Sequence, residues 1–96
     1  MLHLVTSRNA LADALAASTA DDDVVLMHAA VLVAIHDATV PSALADALSG
    51  RRVHAMSADL AARGLDPAGI RVGIAVTDDA GLVALALRHP QSLTWS

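Results

Sequence analysis

Apolar positions along this chain fall into two alternating rhythms. Short apolar stretches recur at Leu2–Val5, Val24–Met27 and Ile70–Val76, with more mixed stretches at Arg51–Met56 and Ser92–Trp95. Runs of this length, rich in β-branched residues and bounded by Ser, Thr, Asp or Gly, predict strands. Strands apolar on both sides predict a sheet covered on both faces. Between them the spacing turns helical. Ser7 is placed to cap a helix over Arg8–Ser18, with Leu11 and Leu15 one turn apart and Thr19–Asp23 as the loop beyond. His28–His36 predicts a second helix. Pro41 opens a short one at Ser42–Leu48, which Gly50 stops. Ser57 caps Ala58–Arg63, which Gly64 ends, and Leu65–Gly69 is a loop. Thr77 or Asp78 caps a longer helix to about Arg88, in which Leu82, Val83, Ala86 and Leu87 follow helical spacing and Pro90 lies past the stop.

Strand and helix alternate throughout, which predicts an α/β domain: a three-layer α/β/α sandwich with a mainly parallel sheet of about five strands and right-handed crossovers. A length of 96 residues fits one domain, 1–96. Strand order is not written in the pattern. Composition adds one point. The chain is 55% hydrophobic, above the roughly 45–50% of ordinary globular domains. Much of the excess is alanine. Either another subunit covers apolar surface, or alanine lines exposed helix faces.

Charge and motif content exclude several classes. The net charge is −4 and the six Lys and Arg residues are scattered, so direct nucleic-acid binding by phosphate neutralisation is not expected. No apolar stretch reaches the roughly 18 residues of a membrane span. The opening residues lack the pattern of a signal peptide, which leaves a cytoplasmic location as the expectation. There is no cysteine, hence no thiolate metal ligand and no thiol nucleophile on this chain. Neither a Gly-rich phosphate loop nor GxSxG is present, and the five histidines form no HExxH, so neither a cofactor nor a metal is expected.

Chemistry-bearing positions remain at the carboxyl ends of predicted strands, where open α/β sheets bind ligands. These are His28 after the second strand and Asp78-Asp79 after the fourth; a hydrogen-bonded loop histidine and helix-opening acids explain the same residues without a ligand. Gly81, in the first turn of the last helix, permits close backbone approach. Asp21-Asp22-Asp23 precedes its strand and reads as a solvated acidic turn. His3 and His54 lie on strands that would bring them together if paired. His89 suits the negative end of a helix dipole. Trp95, the only aromatic residue, is a core plug with an interface edge.

The order of elements, the opening Met1-Leu2-His3, the segment from Val53 through Ala58-Asp59-Leu60-Ala61-Ala62-Arg63-Gly64, Asp78 with Gly81 and Val83, and Trp95 near the end together resemble the TusB/DsrH family of small sulfur-relay subunits with a DsrE-like fold. The resemblance spans essentially the whole chain. It implies assembly with TusC/DsrF-like and TusD/DsrE-like subunits in a dimer of heterotrimers that passes persulfide sulfur toward wobble-uridine 2-thiolation of tRNA, or in a related sulfur transfer. Departures from the family pattern qualify the role. Ala14 stands where many members carry a cysteine, and alanine cannot hold a persulfide. His28-Ala29-Ala30 replaces an acidic pair and a glycine, and Asp79 and Leu82 stand where aromatics are common. The expectation is therefore a non-catalytic hetero-oligomeric subunit with Trp95 and Leu82 at its interfaces. The alternative is a stand-alone, homo-oligomeric α/β ligand-binding protein or enzyme that uses the His28/Asp78 edge.

Overall fold

The computed structural model describes residues 1–35, 45 and 52–96. Among these, five strands form one sheet: β1 (Leu2–Val5), β2 (Asp23–Leu26), β3 (Arg52–Met56), β4 (Ile74–Thr77) and β5 (Ser92–Trp95). Their order is β4-β3-β2-β1-β5. Every pairing is parallel, with Leu2 beside both Asp23 and Ser92, and Val53 beside Val24 and Ile74. The chain thus steps one way along the sheet from β1 to β4 and then returns across it to β5. Right-handed crossovers in opposite directions place their connections on opposite faces.

The core is divided accordingly. On one face, Val5, Val24, Leu26, Val53, Ala55 and Ile74 meet α1 (Leu11–Ala17), a 3₁₀ segment (His28–Ala34) and α2 (Ser57–Ala62) through Leu11, Leu15, Val31, Val33 and Leu60. On the other face, Leu2, Val25 and Met56 meet Leu85 of α3 (Asp79–Arg88), with Leu82 half-buried beside it. One face carries three connecting segments and the other carries a single described helix. The outer side of α3 is left in solvent, with Leu87 82% and Val83 59% exposed.

Local chemistry shifts several predicted boundaries. Ser7 does accept from the Ala10 N–H (3.2 Å), but it closes a turn, and α1 starts at Leu11 rather than Arg8. His28–Ala34 is a 3₁₀ segment, not an α-helix; its β-branched Val31 and Val33 are poor helix formers, and it ends as Ile35 bridges Ile70. The helix expected at Ser42–Leu48 lies outside the described residues except for Ala45, which is helical. Ser57 is the first residue of α2 and not its cap. The fourth strand begins at Ile74 and not at Ile70, because Gly73 at φ 98 turns the chain and the Ile74 N–H is taken by Arg71 O at 3.2 Å. Gly64 ends α2 as expected. At φ 66 it lets the Leu65 N–H reach Leu60 O (2.9 Å) and its own N–H reach Ala61 O (3.0 Å).

Asp78 caps α3 by accepting from the Gly81 N–H at 2.8 Å. That tight corner brings Gly81 against the end of β4, so a Cβ there would overlap Thr77 Oγ1. Substitution G81A gains helix propensity of about 1 kcal/mol but incurs an overpacking cost of about 1–3 kcal/mol. We expect a net loss of stability in urea unfolding, with T77A in the same chain restoring most of it. Additivity of the two substitutions would refute the contact.

Candidate functional site

Asp23 is the first residue of β2, the middle strand, and is completely buried. Register places Arg52 directly beside it on β3 and His54 two residues further on the same face. From the far end of the chain, Arg88 and His89 come down at the C-terminus of α3. All four side chains converge on one carboxylate. Oδ1 accepts from Arg52 Nε (3.0 Å) and His54 Nε2 (2.8 Å); Oδ2 accepts from His89 Nε2 (2.7 Å) and lies 3.4 Å from the Arg88 guanidinium. Burial alone would raise this carboxyl, but the hydrogen bonds from His89, His54 and Arg52 outweigh it and hold it down at about 2. Each imidazole engages the carboxylate through Nε2.

Asp22 forms a second centre on the opposite side of the strand. It accepts from the Met1 amino group (2.8 Å), His3 Nε2 (2.9 Å) and the Thr19 N–H (3.0 Å). Burial pushes its carboxyl up, but these donors hold it well below the usual carboxylate range. The indole Nε1–H of Trp95 donates to His3 Nδ1 at 3.1 Å, so the imidazole carries its proton on Nε2 and gives it to Asp22. The expectation of a solvated acidic turn is therefore wrong for two of its three residues. Asp21 is exposed, whereas Asp22 is buried and paired with the Met1 amino group and His3, and Asp23 is buried and paired with arginines and imidazoles from far along the chain. His89 is likewise bound by a carboxylate and not merely placed at a helix end. His3 and His54 do not meet, because β2 lies between their strands and their side chains point to opposite faces.

The carboxyl edge of the sheet holds the predicted ligand residues. His28 follows β2 with a positive φ of 49, a conformation costing a non-glycine residue on the order of 1 kcal/mol. Its ring is 64% exposed, with Nδ1 3.8 Å from Asp59, which also lies 4.0 Å from Arg63. Ser57, Val76, Thr77 and Asp78 line a concavity of about 300 Å³ at the ends of β3 and β4. Asp78 spends one oxygen on the Gly81 cap, and Asp79 is exposed in the first turn of α3. His28 faces Asp59 of α2, and Asp78 lines the concavity, which His28 does not. No group of three or more metal-ligating side chains suited to a metal ion occurs among the described residues. Ala14 is fully buried in α1. Leu82 and Trp95 are each half-buried, the first against the α3 side of the sheet and the second against the other.

The Asp23 cluster sets the acid response. A carboxyl whose folded value lies below its ordinary 3.8 contributes stability that is fully present above that value and is lost as pH falls through about 2. The drop corresponds to about 2 kcal/mol. We expect D23N to lower stability at neutral pH by about 1–3 kcal/mol, since an amide nitrogen would replace one of the buried oxygens that accept from Arg52, His54 and His89. It should also remove this component of the acid transition between about pH 4 and 2, leaving the Asp22 component. An unchanged acid profile in urea titrations would contradict the assignment.

The sequence profile of the DsrH-like proteins matches residues 5–92. No curated protein matches the chain. A solved structure of a protein of unknown function from Methanobacterium thermoautotrophicum superposes with a TM-score of 0.73 over 97% of this chain and 95% of that one, at 18% identity. That likeness establishes the α/β fold with its parallel five-stranded sheet. With nearly its whole length matched by the profile, the chain belongs to the DsrH-like family of sulfur-relay subunits.

Proposed function

We propose that this chain is a non-catalytic subunit of a TusBCD/DsrEFH-like complex, acting in the cytoplasm in wobble-uridine 2-thiolation of tRNA or a related sulfur transfer. The observation that carries this reading is a family member with no cysteine anywhere in its sequence. Sulfur relay through a protein persulfide needs a thiolate, so the carrier thiol belongs to a partner. The position matched to a family cysteine, Ala14, is sealed in the core. The contribution of this chain is then assembly with TusC/DsrF-like and TusD/DsrE-like subunits. The outer stripe of α3, Ala80, Val83, Ala84 and Leu87, lies exposed and recurs at helical spacing. It is the surface offered to a partner, with half-buried Leu82 and Trp95 as further contact points.

A second reading is favoured by the concavity beside Ser57, Thr77 and Asp78: a stand-alone homo-oligomeric protein binding a small ligand, or acting on it, at the His28/Asp78 edge. Two measurements separate the readings. Co-expression with TusC-like and TusD-like chains from the same source, followed by native mass measurement, should yield a complex containing all three. A persulfide-transfer assay with thiol alkylation should label a partner and never this chain. The double substitution V83E/L87E should weaken the complex at least tenfold while leaving the fold intact. A chain that ignores those partners, yet gains melting temperature with a small molecule in a way that D78A abolishes, would replace the first reading with the second.

A further inference from the structure

The edge of β5 is a surface separate from the outer stripe of α3. β5 is the last strand on its side of the sheet, beyond β1. The Leu2 N–H donates to Gln91 O (3.0 Å) and the Thr6 N–H to Trp95 O (2.9 Å). In a parallel ladder this fixes the direction of every peptide group: Leu93 and Trp95 address β1, while Ser92 and Thr94 turn their N–H and C=O outward. Among the described residues, those outward groups have no partner strand. Natural edge strands are usually blunted by charge, proline or a bulge. From Gln91 to Ser96 there is no charged residue, no proline and no glycine. Leu93, between the two outward-facing residues, is 45% exposed on the face that Trp95 shares.

We propose that β5 pairs antiparallel with β5 of a second copy, joining two sheets into one of ten strands across a two-fold axis at Leu93. Three features on the strand select a copy of itself as the occupant. First, an antiparallel pair centred on Leu93 sets Ser92 of one copy opposite Thr94 of the other, so both outward donor–acceptor sets are satisfied in register. Second, Leu93 meets Leu93 at the close, non-hydrogen-bonded position, where cross-strand side chains approach most nearly. Third, a two-fold axis confronts a strand with its own charges, and this strand has none to repel. Trp95 then lies across from Gln91 of the second copy and reports the contact. The surface is separate from the α3 stripe, so it leaves that helix free for unlike partners and couples two such assemblies.

The test uses the purified chain, by sedimentation across a concentration series with Trp95 fluorescence read in parallel. The wild-type chain is expected at twice its monomer mass, with the Ser92 and Thr94 amides protected from hydrogen exchange. Substitution T94P removes an outward N–H without touching the ladder to β1, and edge positions tolerate proline. L93K places like charges on the axis. Both are expected to give monomers with an unchanged circular dichroism spectrum and solvent-exchanged Ser92. Should T94P fail to fold, L93K and the amide protection decide the matter. A monomeric wild-type chain overturns the proposal. So does a dimer that survives both substitutions, or one that V83E/L87E dissolves while L93K does not, which would assign self-association to α3. A heteromeric complex with TusC-like and TusD-like chains is scored separately in co-expression.

Discussion

One buried carboxylate ties together the parts of this fold that sequence separates most. Asp23 sits on the middle strand, completely enclosed, where an ionised group without partners would cost several kcal/mol. Its donors come from the neighbouring strand β3 and from the end of α3. The last crossover must carry the chain from one edge of the sheet to the other over the face that, among the described residues, α3 covers. Little apolar surface anchors it there: Leu85 is the one fully buried residue of a ten-residue helix. The ion cluster fixes the C-terminal end of α3, and the Asp78 cap with the Gly81 contact fixes the other. The position of β5, and with it the Trp95–His3–Asp22 chain, follows from both.

Much of the architecture could be read from the pattern of residues. Leu2–Val5 and Ser92–Trp95 were identifiable to the residue, the first as a short apolar stretch ended by Thr6-Ser7 and the second as the stretch beyond the Pro90 stop. The cap of α3 was narrowed to Thr77 or Asp78, of which Asp78 caps it, and Pro90 marked the region past its stop. Misplaced boundaries have local causes that the apolar pattern does not show. Ile70 looks like strand, yet it forms an isolated bridge with Ile35 and hands the chain to a turn at Gly73. His28–Ala34 looks like helix by length, but its branched residues pack into the core as a 3₁₀ segment.

The polar centres were the least legible, for a physical reason. An acidic triplet in a short chain reads as solvated unless its counter-charges are known, and those of Asp22 and Asp23 lie up to 66 residues away. Only the strand register reveals them. One signal was available: histidines and arginines at Arg52, His54, Arg88 and His89 flank strand and helix ends, which hints at a shared acidic partner. The family resemblance gave the assembly reading and the missing thiol, since both depend on residue identity. It gave no hint of the two buried aspartates.

The strand order carries a consequence for how the chain is made. β1 is flanked by β2, close in sequence, and by β5, whose Ser92 pairs with Leu2. Until Ser92–Trp95 has been synthesised, the side of β1 on which Leu2 and Leu4 present their peptide groups is an open ladder. Closing it requires a contact of nearly maximal sequence separation, the kind that slows folding most. A nascent or C-terminally clipped chain therefore displays the same unpaired strand, and its hazard is not loss of a site but recruitment into aggregates.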